Sequence, residues 1–228
     1  MASRPVFISN TVRDRHFVDT RLTEFTWFAG MAKSQKQKSI RSLHQRAVVE
    51  WGVEHVLEIS SKSETQLGTD LSAFFLRVPL PNDDWVPLEN VFQSSKVFGD
   101  AGPFVDLLKV TPLDSKRDPR IRSSGALTAF RYFGRDWPLE PKTVFYDWLY
   151  VNALAAQPRL AERVVQYDAF TDIEFNPKKS INCQAYSAAL FCALAKRSLL
   201  DEAQSPDNFI RLAVARGFSN SSAQPSLI

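Results

Sequence analysis

The spacing of apolar and polar positions changes several times along the chain, and each change marks an element. Val6, Phe7 and Ile8 form a short apolar run, as do residues 25–28, and both read as short strands or apolar loop anchors. Residues 33–49 open polar and then set Ile40, Leu43, Ala47 and Val48 on one stripe, which predicts an amphipathic helix. Residues 56–59 predict a strand, residues 60–63 its turn, and residues 71–78 a second strand stopped by Pro79 and Pro81. From Leu88 the period becomes helical. It does so again over residues 104–108, and Asp118-Pro119 and Gly125 then break the chain. Helices are expected over residues 143–154, 158–165 and 181–200, and after the Ser205-Pro206-Asp207 cap up to Gly217. The pattern predicts one α+β, helix-rich domain with a small β-sheet built from the strands near 56 and 71.

Composition narrows the class. A chain of 228 residues, 44% of them hydrophobic, can bury one sizeable core, and no linker divides its first 200 residues. A formal charge of +3 permits an anionic partner without requiring one. There is no apolar run of roughly 18 residues, and the Met-Ala-Ser-Arg-Pro start lacks the apolar core of a signal peptide, so a soluble cytoplasmic protein with no membrane partner is expected. Cys183 and Cys192 do not suggest a disulfide scaffold. His16, His44 and His55 are scattered, and C-x-x-C, H-E-x-x-H and a Gly-rich phosphate loop are all missing, so no metal or cofactor is expected. The Ser- and Gln-rich tail, residues 218–228, is expected to be disordered.

Candidate chemistry begins with Glu89, Gln93 and Lys96, which share one stripe of the helix predicted from Leu88. A carboxylate, an amide and an amine together can move a proton, fix a hydroxyl, and neutralise a phosphate or attack a carbon. The same spacing also fits surface charges flanking a buried Phe stripe. Asp147, inside Val144-Phe-Tyr-Asp-Trp-Leu-Tyr150, fits either substrate binding or the satisfaction of a helix end or an Arg. Asp172 and Glu174 lie in a loop between Phe170 and Phe175, where site residues are commonly held. Asn182 fits a site or a helix cap. Trp137, Trp148, Tyr146 and Phe74 fit either a core or a base-stacking platform.

The run Pro87-Leu-Glu-Asn-Val-Phe-Gln-Ser-Ser-Lys-Val-Phe98 resembles the (T/S)-x-E-H-x-(F/Y)-Q-x-x-K-F element of the NADAR family of YbiA-like N-glycosidases. Ser72-Ala-Phe74 resembles that family's S-N-F turn, Trp137 its mid-chain tryptophan, Asp168-Ala-Phe-Thr-Asp172 its D-x-x-W-G-D loop, and Asn182 with the following helix its N-x-x-G-x-x-L-M element. Glu58-Ile-Ser-Ser-Lys-Ser63, Phe145-Tyr-Asp-Trp-Leu-Tyr150 and residues 172–184 resemble the subgroup that serves as antitoxin to DarT-type toxins, which ADP-ribosylate guanine in DNA.

The resemblance implies a YbiA-like/NADAR fold and an ADP-ribosyl glycohydrolase that frees guanine and so acts as antitoxin. The implied partners are ADP-ribosylated guanine in DNA, expected as a single strand, or a modified nucleotide, with the cognate toxin functionally linked. Glu89 and Asp172 are implied as acid and stabilising carboxylate in either order, and Lys96 as diphosphate ligand or Schiff-base nucleophile. Lys62, Ser72, Phe74, Phe92, Gln93, Trp137, Asp147, Trp148, Asn176 and Asn182 are implied as substrate-binding residues. The sequence departs from the pattern at Ala73, Asn90 and Phe170-Thr171, and Lys62 and Asn176 are the candidates to take over the lost side chains. Residues 1–55 read as a subgroup-specific extension packed on a core of residues 56–217, with Lys33, Lys36, Lys38 and Arg41 on either a nucleic-acid-facing or a solvated helix face. Two competing functions remain open, an N-glycosidase acting on a small phosphoribosyl amine of the riboflavin pathway and a non-catalytic ADP-ribose- or toxin-binding module.

Overall fold

Strands β1 (Ala2–Ser9) and β2 (Val18–Phe25) pair antiparallel over their full length, from Ala2 opposite Phe25 to Ser9 opposite Val18. The structure, a computed structural model, describes residues 1–12, 16–177 and 180–216. After β2 come helix α1 (Lys33–Trp51), β3 (Val56–Glu58), α2 (Gln66–Asp70), β4 (Arg77–Pro79), β5 (Trp85–Pro87), α3 (Leu88–Ser94) and β6 (Lys96–Val97). A 3-10 turn (Val105–Lys109) leads to α4 (Pro112–Arg117), α5 (Arg120–Ser123), β7 (Ala129–Tyr132), β8 (Arg135–Trp137), α6 (Val144–Ala155) and α7 (Pro158–Val164). The described chain ends with β9 (Ala169–Thr171), α8 (Gln184–Lys196), α9 (Leu200–Gln204) and α10 (Pro206–Arg216).

The main sheet has the order β2-β1-β9-β3, with β9 antiparallel to β1 and parallel to β3. A period of two divides its residues between two layers. Val6, Val56 and Ala169 meet Ile40, Leu43 and Ala47 of α1 on one face. Phe7, Leu57 and Phe170 meet the Ala-rich α8 on the other. Every residue of β9 is therefore buried, as expected of a strand covered on both faces. Phe7, Phe170 and Phe191 are each at most 1% exposed, and each such burial stabilises the fold by roughly 1.5–3 kcal/mol. β1, from the first 55 residues, is hydrogen-bonded directly to β9, so the two halves of the sequence share one sheet.

The α+β, helix-rich architecture with small sheets is as expected, but several elements differ. Residues 71–78 are not one strand. Thr65 caps α2 by accepting from the Gly68 amide, and helical-type turns continue through Ser72 and Phe75 to Leu76, so only Arg77–Pro79 is extended. The main sheet takes no strand from near 71, and β1 and β2 supply half of it instead. Helix α3 stops at Ser94, which leaves Lys96 on β6 rather than on the stripe of Glu89 and Gln93. Ser39, not Val48, completes the buried face of α1, and Val48 is 43% exposed. Helix α8 begins at Gln184 with Cys183 as N-cap, so Asn182 precedes the helix and does not cap it. The tail expected to be disordered lies outside the described residues, as does Gly217.

Candidate active site

Helix α3, strand β6 and the loop after β9 converge on a cavity of about 500 Å3. Glu89 enters from the first turn of α3, whose start is tied to the 72–74 turn because the Glu89 amide donates to the Ala73 carbonyl. Its carboxylate is buried, accepts from Gln93 Nε2 at 2.8 Å, and lies 3.9 Å from Lys116 Nζ. The carbonyl oxygen of Gln93 is buried and has no hydrogen-bond partner among the described residues. Lys96 reaches the same cavity from β6, its Nζ 5.0 Å from the centre of the Phe92 ring. Burial, the largest influence, lowers the Lys96 pKa; the Glu89 charge opposes this and Lys116 adds to it.

Asp172 lines the same cavity from the loop after β9. Its Oδ1 accepts from the Glu174 and Phe175 amides at 3.0 and 3.1 Å, and its Oδ2 accepts from Gln184 Nε2 at 3.0 Å. Burial pushes this carboxyl up to about 6 against those three donors. Gln184 also donates to the Ile59 carbonyl at 2.7 Å and accepts from the Ala73 amide at 2.8 Å, so one side chain at the head of α8 fixes three site segments. Phe92 packs on Phe130, Phe145 and Tyr146 to make an aromatic floor. Ser72, Phe74, Asn176 and Asn182 also line the cavity.

Four expected site residues lie elsewhere. Trp137 is 1% exposed and packs on Phe145 and Trp148 in the core. Asp147 is buried between α6 and α8, accepting from Ser187 Oγ and Thr143 Oγ1 at 2.6 Å each. Trp148 donates to the Gln204 carbonyl and lines a separate cavity of about 370 Å3 beside Tyr132 and Asn152. Lys62 sits in the turn after β3, outside the lining of the main cavity. Of the cationic face of α1, Arg41 pairs with Glu64, and Lys36 stands over Trp27 and 3.8 Å from Glu174.

Residues not singled out by sequence also take part. Lys116, on α4, joins the site across Glu89 and Phe74, and no motif or spacing links it to either. Ser60 and Ser61 line the cavity from the turn of residues 60–63, which was expected to border the pocket, whereas Gln184 falls inside a sequence block already noted and nothing in its type marked it. Asn90, where the wider family has His, donates to the Leu107 and Val110 carbonyls and so anchors the 3-10 turn outside the cavity.

The chain matches the family model described as DarT1-associated NADAR antitoxin over residues 2–223. It belongs to that family. No curated protein matches the chain. The match to this NADAR antitoxin family begins within β1, so it includes the strands that complete the sheet behind Asp172. Among the described residues no helix is long and apolar enough to cross a membrane, and no three His, Cys, Asp or Glu side chains cluster to hold a metal ion. Both cysteines are buried and free.

Proposed function

We propose that this NADAR antitoxin is an N-glycosidase that removes ADP-ribose from the exocyclic amine of guanine in DNA, reversing the modification made by a DarT-type toxin. One observation carries the reading: Glu89 and Asp172, two buried carboxyls, line one cavity that also holds the amines of Lys96 and Lys116. Breaking a glycosidic C–N bond builds positive charge on the ribose and negative charge on the departing nitrogen, and two carboxyls in one cavity answer both. Asp172, fixed by three donors and ionised at neutral pH, suits the stabilisation of the ribosyl cation. Glu89, the carboxylate between Gln93 and Lys116, then relays to the guanine nitrogen the proton given up by the attacking nucleophile.

The two lysines divide the remaining work. Lys116, with a side chain 56% exposed at the cavity mouth, meets the diphosphate, and Lys96, partly buried on the aromatic floor, presents an amine of lowered basicity to the anomeric carbon. In that route the ribose ring opens to an imine with guanine, the Lys96 amine adds to C1 of the ribose and guanine leaves with a proton from Glu89. Water then hydrolyses the lysine imine to release ADP-ribose and restore the amine.

The deciding experiment incubates the protein with oligonucleotides carrying ADP-ribose on guanine or on thymine. Release of ADP-ribose from guanine alone is expected. Binding without release from either would replace the hydrolase with a binding module. A borohydride trap that gives no adduct with substrate would remove the covalent route and leave direct attack by water.

A further inference from the structure

A second carboxyl stands behind Asp172 and does not line the cavity. Glu58 ends β3, opposite Thr171 of β9, and the alternation that sends Val56 and Ala169 toward α1 sends Glu58 and Thr171 the same way. Asp172, the next residue, turns to the cavity side. Glu58 is 2% exposed, and its contacts are fully specified. Oε1 meets Ser60 Oγ at 2.7 Å and the Ile173 amide at 2.9 Å, Oε2 meets Thr171 Oγ1 at 2.6 Å, and Thr171 Oγ1 meets His44 Nε2 at 2.9 Å. Among the described residues no Lys or Arg forms an ion pair with it.

Two neighbouring carboxyls in one buried space do not both ionise readily. The contacts of Glu58 accommodate a proton without moving an atom. With Oε2 protonated, that oxygen donates to Thr171 Oγ1, the threonine hydroxyl donates to His44 Nε2, and Oε1 goes on accepting from Ser60 and Ile173. We propose that Glu58 is a positioning residue that holds the shared proton of the Glu58–Asp172 pair, leaving Asp172 as the pair's one anion and directing that charge into the cavity.

The surrounding groups agree with this division. Burial, and then the Asp172 charge, push Glu58 up to about 8, above the value of about 6 for Asp172. Burial holds His44 down at about 4, so at neutral pH its ring is uncharged and free to accept at Nε2. Arg4 of β1, Glu174 of the site loop and the hydroxyls of Tyr146 and Tyr150 on α6 also face Asp172, with Cys183 beside both carboxyls. Glu64, paired with Arg41, faces His44.

A carboxyl whose folded pKa is raised contributes stability that is full below its unfolded value of 4.5 and is lost as pH rises to about 8. The test compares thermal unfolding of the full chain with that of Glu58→Gln at a series of pH values from about 5 to about 9. The Gln variant keeps a neutral group of the same shape. Its Tm is expected to fall less than that of wild type across this window, whereas parallel curves would overturn the proposal. This arm needs no catalytic activity.

The kinetic arm rests on the hydrolase reading. Glu58→Gln is expected to keep turnover within about 3-fold at neutral pH and to lose the alkaline decline of the kcat profile, while Asp172→Asn loses turnover. Loss of turnover in Glu58→Gln equal to that in Asp172→Asn would overturn the proposal. If wild type releases no ADP-ribose, the hydrolase reading fails and the stability arm still decides. If Glu58→Gln does not fold, infrared titration of Asp147→Asn replaces it. A protonated-carboxyl band lost near pH 8 is expected, and its absence overturns the proposal.

Discussion

A Cβ built on Gly102 would stand 2.3 Å from the carbonyl oxygen of Lys96, and the glycine holds φ at +88°. The loop after β6 therefore presses on the backbone that aims Lys96 at the cavity, and only glycine permits both the conformation and the approach. Gly102→Ala is expected to destabilise the fold by roughly 1–3 kcal/mol and to shift β6. In a purified, folded variant, ADP-ribose release should fall by more than the unfolded fraction accounts for, as read by circular dichroism beside the release assay.

Lys116 is separable from the chemistry. Under the proposed reaction Lys116→Gln would remove a charged partner of the diphosphate at a cost of about 1.5–3 kcal/mol, so KM should rise roughly 10-fold or more while kcat changes less. Because Lys116 also helps to lower the Lys96 pKa, the variant should need a higher pH to reach its maximal rate of borohydride-trapped adduct formation. An unchanged KM would remove Lys116 from the phosphate subsite.

Gln184 binds the Ala73 amide, the Ile59 carbonyl and Asp172 at once. Gln184→Ala leaves these groups without their partner, and a loss of about 1–3 kcal/mol is expected by denaturant titration. Activity should fall further than in Gln184→Glu at low pH, where a protonated glutamic acid can still donate to Asp172 or Ile59.

Asp147 supplies a pH effect independent of the cavity. Burial raises it from 3.8 to about 7, with Ser187 and Thr143 opposing, so its contribution is full below about 3.8 and is lost as pH rises through about 7. Asp147→Asn should flatten the fall in Tm over that interval and leave the KM for ADP-ribosylated guanine unchanged. A raised KM would return Asp147 to the substrate-binding set.

The sequence revealed the elements with dense apolar periodicity. Helices α6 and α7 lie close to the expected bounds because Pro158 and the aromatic run of residues 144–150 mark them locally. Strand β2 reads Val-Asp-Thr-Arg-Leu-Thr-Glu-Phe, too polar to announce itself, because it is the edge of the sheet and one side faces solvent. The strand expected at 71–78 failed because Thr65 and Ser72 offered local hydrogen bonds that coil the chain, a choice apolar spacing does not encode. Glu89 and Gln93 met as a helical pair, whereas Lys96 reached the same cavity by leaving the helix. Lys116 and the Glu58 network depend on contacts between distant segments, and no local pattern carries them.

Strand β9 meets its partners only after the long segment between β3 and β9 has been made. Thr171 and Glu58 are 113 residues apart, and Ser9 and Asp168 are 159 apart, so the contacts that seat Asp172 are among the least local in the molecule. Contacts of this range slow folding, since the closure of a long loop is opposed by chain entropy until the strands pair. A nascent chain that has not yet delivered residue 172 to the outside of the ribosome has neither a closed sheet nor a second carboxyl. The cavity thus gains its second carboxyl only once a segment more than a hundred residues downstream of β3 has joined the sheet.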